Sequence, residues 1–570
     1  MSNQELANLF YDIADMLDIQ GIKWKPLAYR KAALTISTLS TDITEVYNQG
    51  KLRELEGVGE AICKKTEEYI KTGKIAKHEQ LKKRYPIDFS TFRLIRGLGP
   101  RTAYTLYLKL KIKNLEDLKD ALANNKIRGL EGFGVKSENE LINSVNAFLK
   151  MGEQGRKPLG FVIEYINGII KELRDSGIFY QVEIAGSTRR MKETVGDFDI
   201  LSSAADARKA TALFIKLKEV KEVLVSGETK TSVKLDNDMN CDLRVIDKNS
   251  FGAAMQYFTG NKDHNVKLRK IAISKGLKLN EYGLFKGKKS IAGKTEESVY
   301  SSLGMKVMPP ELRENMGEIE ASQEGRLPKL VEYTEIIGDL HAHTNDSDGA
   351  NSLDEMVRGA KKQGLRYIAI TNHSKSLKVA KGLDEKRFIE LFNRIDRINE
   401  TENDVHVLKG VELEILKDGS LDLPSKLLKQ MDFVVAAVHQ NTNQDRTELT
   451  NRALSAINSG LITSFAHPTG RIIGQREGMN IDLNKVFEAC EKNSVCVEIN
   501  GYPERSDLPF DIVKTANESH KLLFSLGSDS HRVDHLRFIH MATAIARRGW
   551  LEKRNVINAF DCKQVISLKR

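Results

Sequence analysis

Cysteine is scarce in this chain: five in 570 residues, at Cys63, Cys241, Cys490, Cys496 and Cys562, with no C-x-x-C spacing among them. That scatter excludes a disulfide scaffold and a closed, cysteine-ligated zinc, and it points to a reducing, cytoplasmic compartment. No apolar stretch is long enough to span a bilayer, so no membrane partner is expected. A basic, apolar leader pattern is also missing. Instead Leu6, Leu9, Phe10, Ile13, Met16 and Leu17 recur at helical spacing behind a Ser2 to Glu5 capping box. Low-complexity tracts are absent, and the length suits several domains of about 100 to 200 residues each.

Charge is unevenly placed. Residues 1–330 carry 55 basic and 44 acidic side chains, a net of +11, whereas residues 331–570 carry 33 and 34, a net of −1. The surplus gathers in residues 51–100 (12 basic, 7 acidic) and 251–300 (10 basic, 4 acidic), as expected of surfaces that follow a phosphate backbone. Three N-terminal segments repeat one pattern, an apolar residue flanked by glycines between helical stretches: ELEGVGEAICKKTEEYI, LIRGLGPRTAYTLYL and GLEGFGVKSENELI. They read as three helix-hairpin-helix units. Glycine permits the tight turn, and the N–H groups opening the next helix can receive a phosphate oxygen, often with a monovalent cation. The hairpins at Gly57 to Gly59 and Gly97 to Gly99 are expected to hold DNA backbone, with Gly132 to Gly134 as a third.

The central block reads VEIAGSTRRMKETVGDFDILSS, followed by LDNDMNCDLRVID. Asp197 and Asp199 are two apart on an expected strand, so their side chains share a face. Asp242 and Arg244 alternate with Cys241, Leu243 and Val245 on a second strand. If the strands are neighbours, three carboxylates converge. Oxygen ligands without histidine suit Mg²⁺ or Mn²⁺ and in-line phosphoryl transfer with two metal ions. Gly186, Ser187 and Arg190 supply a phosphate-binding turn just upstream.

The last 235 residues hold seven apolar runs: IIGDLHAH, YIAITNH, VLKGVELE, VVAAVH, ITSFAHP, VCVEIN and LLFSLGSDSH. Six deliver a His, Asp or Glu where a strand would stop. Parallel barrels gather their chemistry at the C-terminal ends of strands, so nine residues become one candidate multinuclear site: His341, His343, Asp348, His373, Glu412, His439, His467, Asp529 and His531. Mixed imidazole and carboxylate donors suit two or three Mn²⁺, Zn²⁺ or Fe²⁺ ions.

These nine positions, in HAH, SDG, TNH, GVE, VH, AHP and GSDSH, resemble the polymerase and histidinol phosphatase (PHP) domain. That resemblance implies a distorted barrel of seven βα units that hydrolyses phosphoesters. The first 315 or so residues resemble family X DNA polymerases through LAYRKAA, LEGVG, GLGPRTA, GSTRR, GDFDI, CDLRVI, YFTG and LNEYGLF. Together they point to the bacterial, PHP-bearing branch. By the resemblance, Asp197, Asp199 and Asp242 bind metal, and Ser187, Arg190 and Arg156 meet the incoming triphosphate. Tyr257, Phe258 and Gly260 line its sugar, Asn265 its base, and Arg269 the template. Arg244 and Asn280, Glu281 and Tyr282 resemble the closure switch. Lys65, supported by Lys25 and Tyr29, stands at the lyase Schiff-base position, with Ala61 and Trp24 where a basic residue and a His are expected.

The expected fold class is therefore multidomain α/β. A lyase-like helical domain (1–80) is followed by helical fingers with helix-hairpin-helix motifs (81–150), a nucleotidyltransferase palm (151–260), a thumb (261–315), a linker (316–334) and a PHP barrel (335–570). The expected function is gap-filling repair synthesis on gapped or nicked DNA from deoxynucleoside triphosphates. The second site would act as a 3′-to-5′ exonuclease and at abasic sites, in a cytoplasmic, nucleoid-associated monomer. Two alternatives stay open for the barrel, a small-molecule or pyrophosphate phosphatase and a non-catalytic scaffold.

Overall fold

A computed structural model describes residues 3–37, 43–55, 57–93, 95, 98–130, 133–134, 137–138, 141–142, 145, 156–473, 476 and 478–569. Gly97, Gly132 and Ser2, named above, lie outside them. The chain divides into two units, Met1–Arg156 with Gly168–Gly186 and Gly196–Val307, and Lys157–Asn167 with Ser187–Val195 and Met308–Arg570. No helix among the described residues is long and apolar enough to cross a membrane.

In the first unit, the N-terminal periodicity becomes the helix Asn3–Asp18. Leu6, Phe10, Ile13, Met16 and Leu17 are buried on its inner face, packed with Ala32, Ala33 and Ile36 from Lys25–Ser37. Gly59 and Gly99 stand as the N-caps of Glu60–Thr72 and Pro100–Leu110. Both are extended residues with no side-chain cap, so the opening N–H groups of both helices lack a side-chain partner from the capping position. A mixed five-stranded sheet follows: β1 (Phe179–Ile184), β2 (Asp197–Ala204), β3 (Val220–Ser226), β4 (Lys230–Leu235) and β5 (Asn240–Val245), in the order β1-β2-β5-β4-β3. Only the β2–β5 pair is parallel.

The second unit is built on seven parallel strands paired in chain order: β6 (Gly338–Ala342), β7 (Tyr367–Ile370), β8 (His406–Glu414), β9 (Phe433–Ala437), β10 (Ser464–Phe465), β11 (Cys496–Asn500) and β12 (Phe524–Gly527). Ala342 bridges Ser530 in parallel and the His343 N–H donates to Ser530 O at 2.8 Å, which joins the two ends of the sheet into a nearly closed barrel. Alternation sorts the side chains. Tyr367, Ala369, Leu408, Phe433, Val435 and Ala437 form an inner cluster with Ile557 and Val565. Ile368, Ile370, Val407, Val411, Val434, Ala436, Val497 and Leu526 join the outer core with the surrounding helices. Burial on both faces explains why these strands read as apolar runs. Ser352 with Glu355 and Asp445 with Glu448 open two of the outer helices with reciprocal capping boxes. At Gly338 an added Cβ would run into the ring of Tyr367, its partner on the next strand.

Candidate active sites

The parallel pairing of β2 and β5 sets Asp199 directly beside Asp242, and Asp197 beside Asn240. The three carboxylates therefore share one face of the sheet, on two adjacent inner strands. Gly186 turns the chain at φ +62°, where a Cβ would collide with the Asp199 carboxylate. Ala185 N donates to Asp199 O at 2.8 Å. Burial and the adjacent Asp197 charge push the Asp199 carboxyl up to about 6, and burial with Asp242 raises Asp197. A cluster of like charges that resists ionisation is relieved by a cation, and its donors are all oxygen, which fits Mg²⁺ or Mn²⁺. Lys230 Nζ and Arg244 reach Asp242 Oδ2 at 3.3 and 3.7 Å.

Around this face, Arg244 lies over the Phe258 ring (4.5 Å), and Phe258 meets Tyr257 edge-on at 5.0 Å. Asn265 donates to Tyr257 O at 2.6 Å and accepts from Gln256 at 2.7 Å. Gly260 caps the helix Phe251–Thr259 at φ +69°. Asn280 Oδ1 accepts from Tyr282 N, and Glu281 is buried. The Arg156 charge draws the Asp197 carboxyl partly back down. Arg269, however, donates to Glu5 Oε1 at 2.7 Å, and Tyr69 donates to Glu5 Oε2 at 3.2 Å. Lys65 Nζ sits 5.8 Å from the Tyr29 ring centroid and donates to Ala61 O. Ser187 and Arg190 belong to the second unit, where buried Arg190 donates to Glu314 Oε1 at 3.0 Å.

All nine metal-ligand candidates of the barrel meet at one mouth. Inward parity carries them there: His373 continues Tyr367 and Ala369, Glu412 continues Leu408, and His439 continues Phe433, Val435 and Ala437. Glu412 is central. Its Oε2 lies 3.4 Å from His341 Nε2, 3.5 Å from His343 Nε2 and 2.9 Å from His373 Nδ1. Its Oε1 lies 3.0 Å from His439 Nε2 and 2.9 Å from His467 Nε2. Asp348 Oδ2 stands 3.4 Å from both His373 Nε2 and His531 Nε2, and Asp529 Oδ1 lies 3.4 Å from His343 Nε2. Three overlapping donor groups result: His343, Asp348, His373 and His531; His341, His343 and Asp529; and His373, Glu412 and His439. Two of the nine candidates, His467 (φ +26°) and Asp529 (φ +53°), take left-handed backbone, strain that a nearly closed barrel can hold at a functional site.

Chemistry fits metal here. His341 Nε2 and both nitrogens of His343 are buried without a hydrogen-bond partner, a cost that coordination removes. Burial and the His531 charge push His343 down to about 3, keeping it neutral and ready to ligate. For Glu412, burial opposes ionisation, yet the charges of His373, His439 and His341 outweigh it and hold the carboxyl well below its usual range.

Sequence reasoning did not assign Glu414 and Glu498. Glu498 Oε1 lies 2.5 Å from His341 Nδ1, while its Oε2 accepts from His467 N at 2.7 Å. Glu414 Oε2 lies 2.7 Å from His439 Nδ1, and buried Arg452 holds the same carboxylate. Each turns a ring so that Nε2 faces the cluster. The signal was present: Glu414 follows Glu412 by two on one strand face, and Glu498 stands in the sixth run. Glu498→Gln is expected to weaken binding at the His341 position roughly 10- to 100-fold, read by chelator competition. Unchanged affinity in the folded variant would reduce Glu498 to a packing role.

Known proteins agree with this arrangement. A helix-hairpin-helix domain model matches residues 1–75, a DNA polymerase beta thumb model residues 254–314, and a PHP domain model residues 339–501. The chain is 34% identical over 574 residues to "DNA polymerase/3'-5' exonuclease PolX" of Bacillus subtilis (strain 168), covering 99% of both chains. A "Probable phosphatase" of Acetivibrio thermocellus is 29% identical over 204 residues, 34% of this chain and 80% of its own. DNA polymerase lambda of Arabidopsis thaliana is 26% identical over 352 residues, 55% of this chain and 62% of its own. A helix-hairpin-helix domain, a polymerase beta thumb and a PHP domain, on a chain 34% identical from end to end to that Bacillus relative, place this chain in the family X DNA polymerases that carry a C-terminal PHP domain.

Proposed function

We propose that the chain fills short gaps in DNA by two-metal nucleotidyl transfer at Asp197, Asp199 and Asp242, and shortens 3′ ends at the nine-residue barrel site, with incision at abasic sites as a further use of that centre. The observation that carries this reading is the pair of chemically different donor sets, all-oxygen on the β2–β5 strand pair and mixed nitrogen and oxygen at the barrel mouth. The Bacillus relative's name couples the same two activities. When bound, divalent cations supply neutralisation of phosphoryl charge and a lowered pKa for the attacking oxygen.

The protein's own groups position the reactants. Ser187, Arg190 and Arg156 would meet the triphosphate, Tyr257, Phe258 and Gly260 the sugar, and Asn265 the base. Arg269 would meet the template only after leaving Glu5, and Lys65 would serve the lyase reaction. The domain limits given above, a monovalent cation at the hairpins and a cytoplasmic monomer belong to the same proposal.

Incubating the full chain with Mn²⁺ and a labelled gapped duplex tests it. Extension with nucleotides and shortening without them are both expected; extension alone would leave the barrel outside DNA chemistry. The Acetivibrio match favours a second reading, a phosphatase of small esters. Hydrolysis of nitrophenyl phosphate without shortening of DNA would establish that one instead.

A further inference from the structure

The metal cluster is closed on most sides. His341, His343, Glu412 and His467 are buried, whereas the side chains of Asp348 and His531 each keep 30% of their surface exposed. The most open side of the cluster therefore lies at Asp348 and His531. The loop that follows β11 stands there. Tyr502 meets His531 edge-on, with ring centroids 6.4 Å apart. Three more rings meet Tyr502 at steep angles: Phe161 at 6.2 Å and 86°, His535 at 5.6 Å and 72°, and Phe538 at 5.6 Å and 85°. None of the four lies parallel to it, and Tyr502 is only half-buried.

One turn further, Arg505 brings a cation to the same edge. Its Nε lies 3.4 Å from Asp529 Oδ2, with 21% of the side chain exposed. The turn is tied at both ends. Asn500 accepts from Tyr502 N at 3.0 Å while donating to Asp529 Oδ2 at 3.1 Å. Tyr502 O accepts from Arg505 N at 2.9 Å and from Ser506 N at 2.8 Å. Arg471 Nε donates to Arg505 O at 3.0 Å, and Thr469 Oγ1 donates to Asp507 at 2.9 Å. An unstacked aromatic ring and a guanidinium on one braced turn, beside a metal cluster, match a nucleoside phosphate. Such a unit offers a planar base to stack and anionic oxygens to pair.

We infer that Tyr502 and Arg505 form a subsite for the terminal nucleotide of a DNA strand, Tyr502 stacking on the base and Arg505 pairing with the scissile phosphate. This rests on the hydrolase reading above and adds to it the two residues that hold the terminal nucleotide.

Two chromogenic diesters with one leaving group separate the roles: thymidine 5′-(p-nitrophenyl phosphate), which carries a base, and methyl p-nitrophenyl phosphate, which does not. In the Mn²⁺-loaded full chain, Tyr502→Ala is expected to lower the kcat/KM ratio of thymidine ester to methyl ester on the order of tenfold, with Tyr502→Phe restoring it. Arg505→Ala should raise KM for both esters. A ratio that stays at the wild-type value in Tyr502→Ala, or a loss that Phe does not rescue, overturns the subsite. Should the wild-type chain hydrolyse neither ester, the hydrolase reading falls separately, and binding decides the subsite. Mn²⁺ would broaden the thymine proton resonances of thymidine 5′-monophosphate in the wild type and less in Tyr502→Ala; equal broadening overturns it.

Discussion

Alanine or asparagine at Asp199 is expected to abolish gap filling while leaving shortening of DNA 3′ ends intact. Asp199 sits between Asp197 on its own strand and Asp242 on the next. Transition-state charge stabilisation by a bound metal is worth several kcal/mol, and each about 1.36 kcal/mol is tenfold in rate. Loss of incorporation by on the order of 10³-fold or more follows from those values. The variant should fold. Burial and Asp197 push the Asp199 carboxyl up to about 6, so its ionised form destabilises the metal-free protein above that pH, and removing it leaves the melting temperature equal or higher. Primer extension, end shortening and a metal-free melting curve on one preparation give the answer. Retained extension in a folded Asp199→Ala protein would remove Asp199 from the metal site.

Glu412→Gln should do the reverse. One carboxylate lies within 3.5 Å of His341, His343, His373, His439 and His467, so the substitution withdraws a buried negative charge from the centre of the donor set. Reduced metal content at the barrel mouth and loss of 3′-end shortening are expected together, with primer extension unchanged. His341→Ala should show the same split, because its ring joins Glu412 to Asp529. Metal analysis of the dialysed protein and the two gel assays check this. If folded Glu412→Gln kept a full complement of metal and its hydrolysis, the cluster would not be the hydrolytic centre. If it lost extension as well, the two sites would not be independent.

Much of the barrel site was legible because chemistry and period coincide there. Parallel strands buried on both faces must read as apolar runs, and a polar residue ending such a run has few roles except at a mouth. That logic brought forward eight of the nine residues of the cluster, and Asp348 joined them from the SDG segment just beyond the first run. It did not assign Glu414 and Glu498, although both stand in these runs, since a carboxylate that orients a ligand and one that is a ligand look alike in one dimension. The first hairpin, at Gly57 to Gly59, was legible as a glycine pattern. The partner of Arg269 was not, because Glu5 lies 264 positions away and no local pattern links them.

The amino-acid sequence by itself determined the element types, the inward parity of each strand and which residues could ligate metal, because alternation and residue chemistry are local properties. Only the tertiary structure decided which strands are neighbours. Parallel pairing of β2 with β5 turned a conditional convergence of three aspartates into a register with Asp199 beside Asp242. Joining β12 to β6 brought His531 from the end of the chain to His343, with ring centroids 4.3 Å apart. The division of the chain into two units also sets Ser187 and Arg190 with the barrel. Such pairings are set by burial summed over the whole core and by loop closure, which no short stretch of sequence contains.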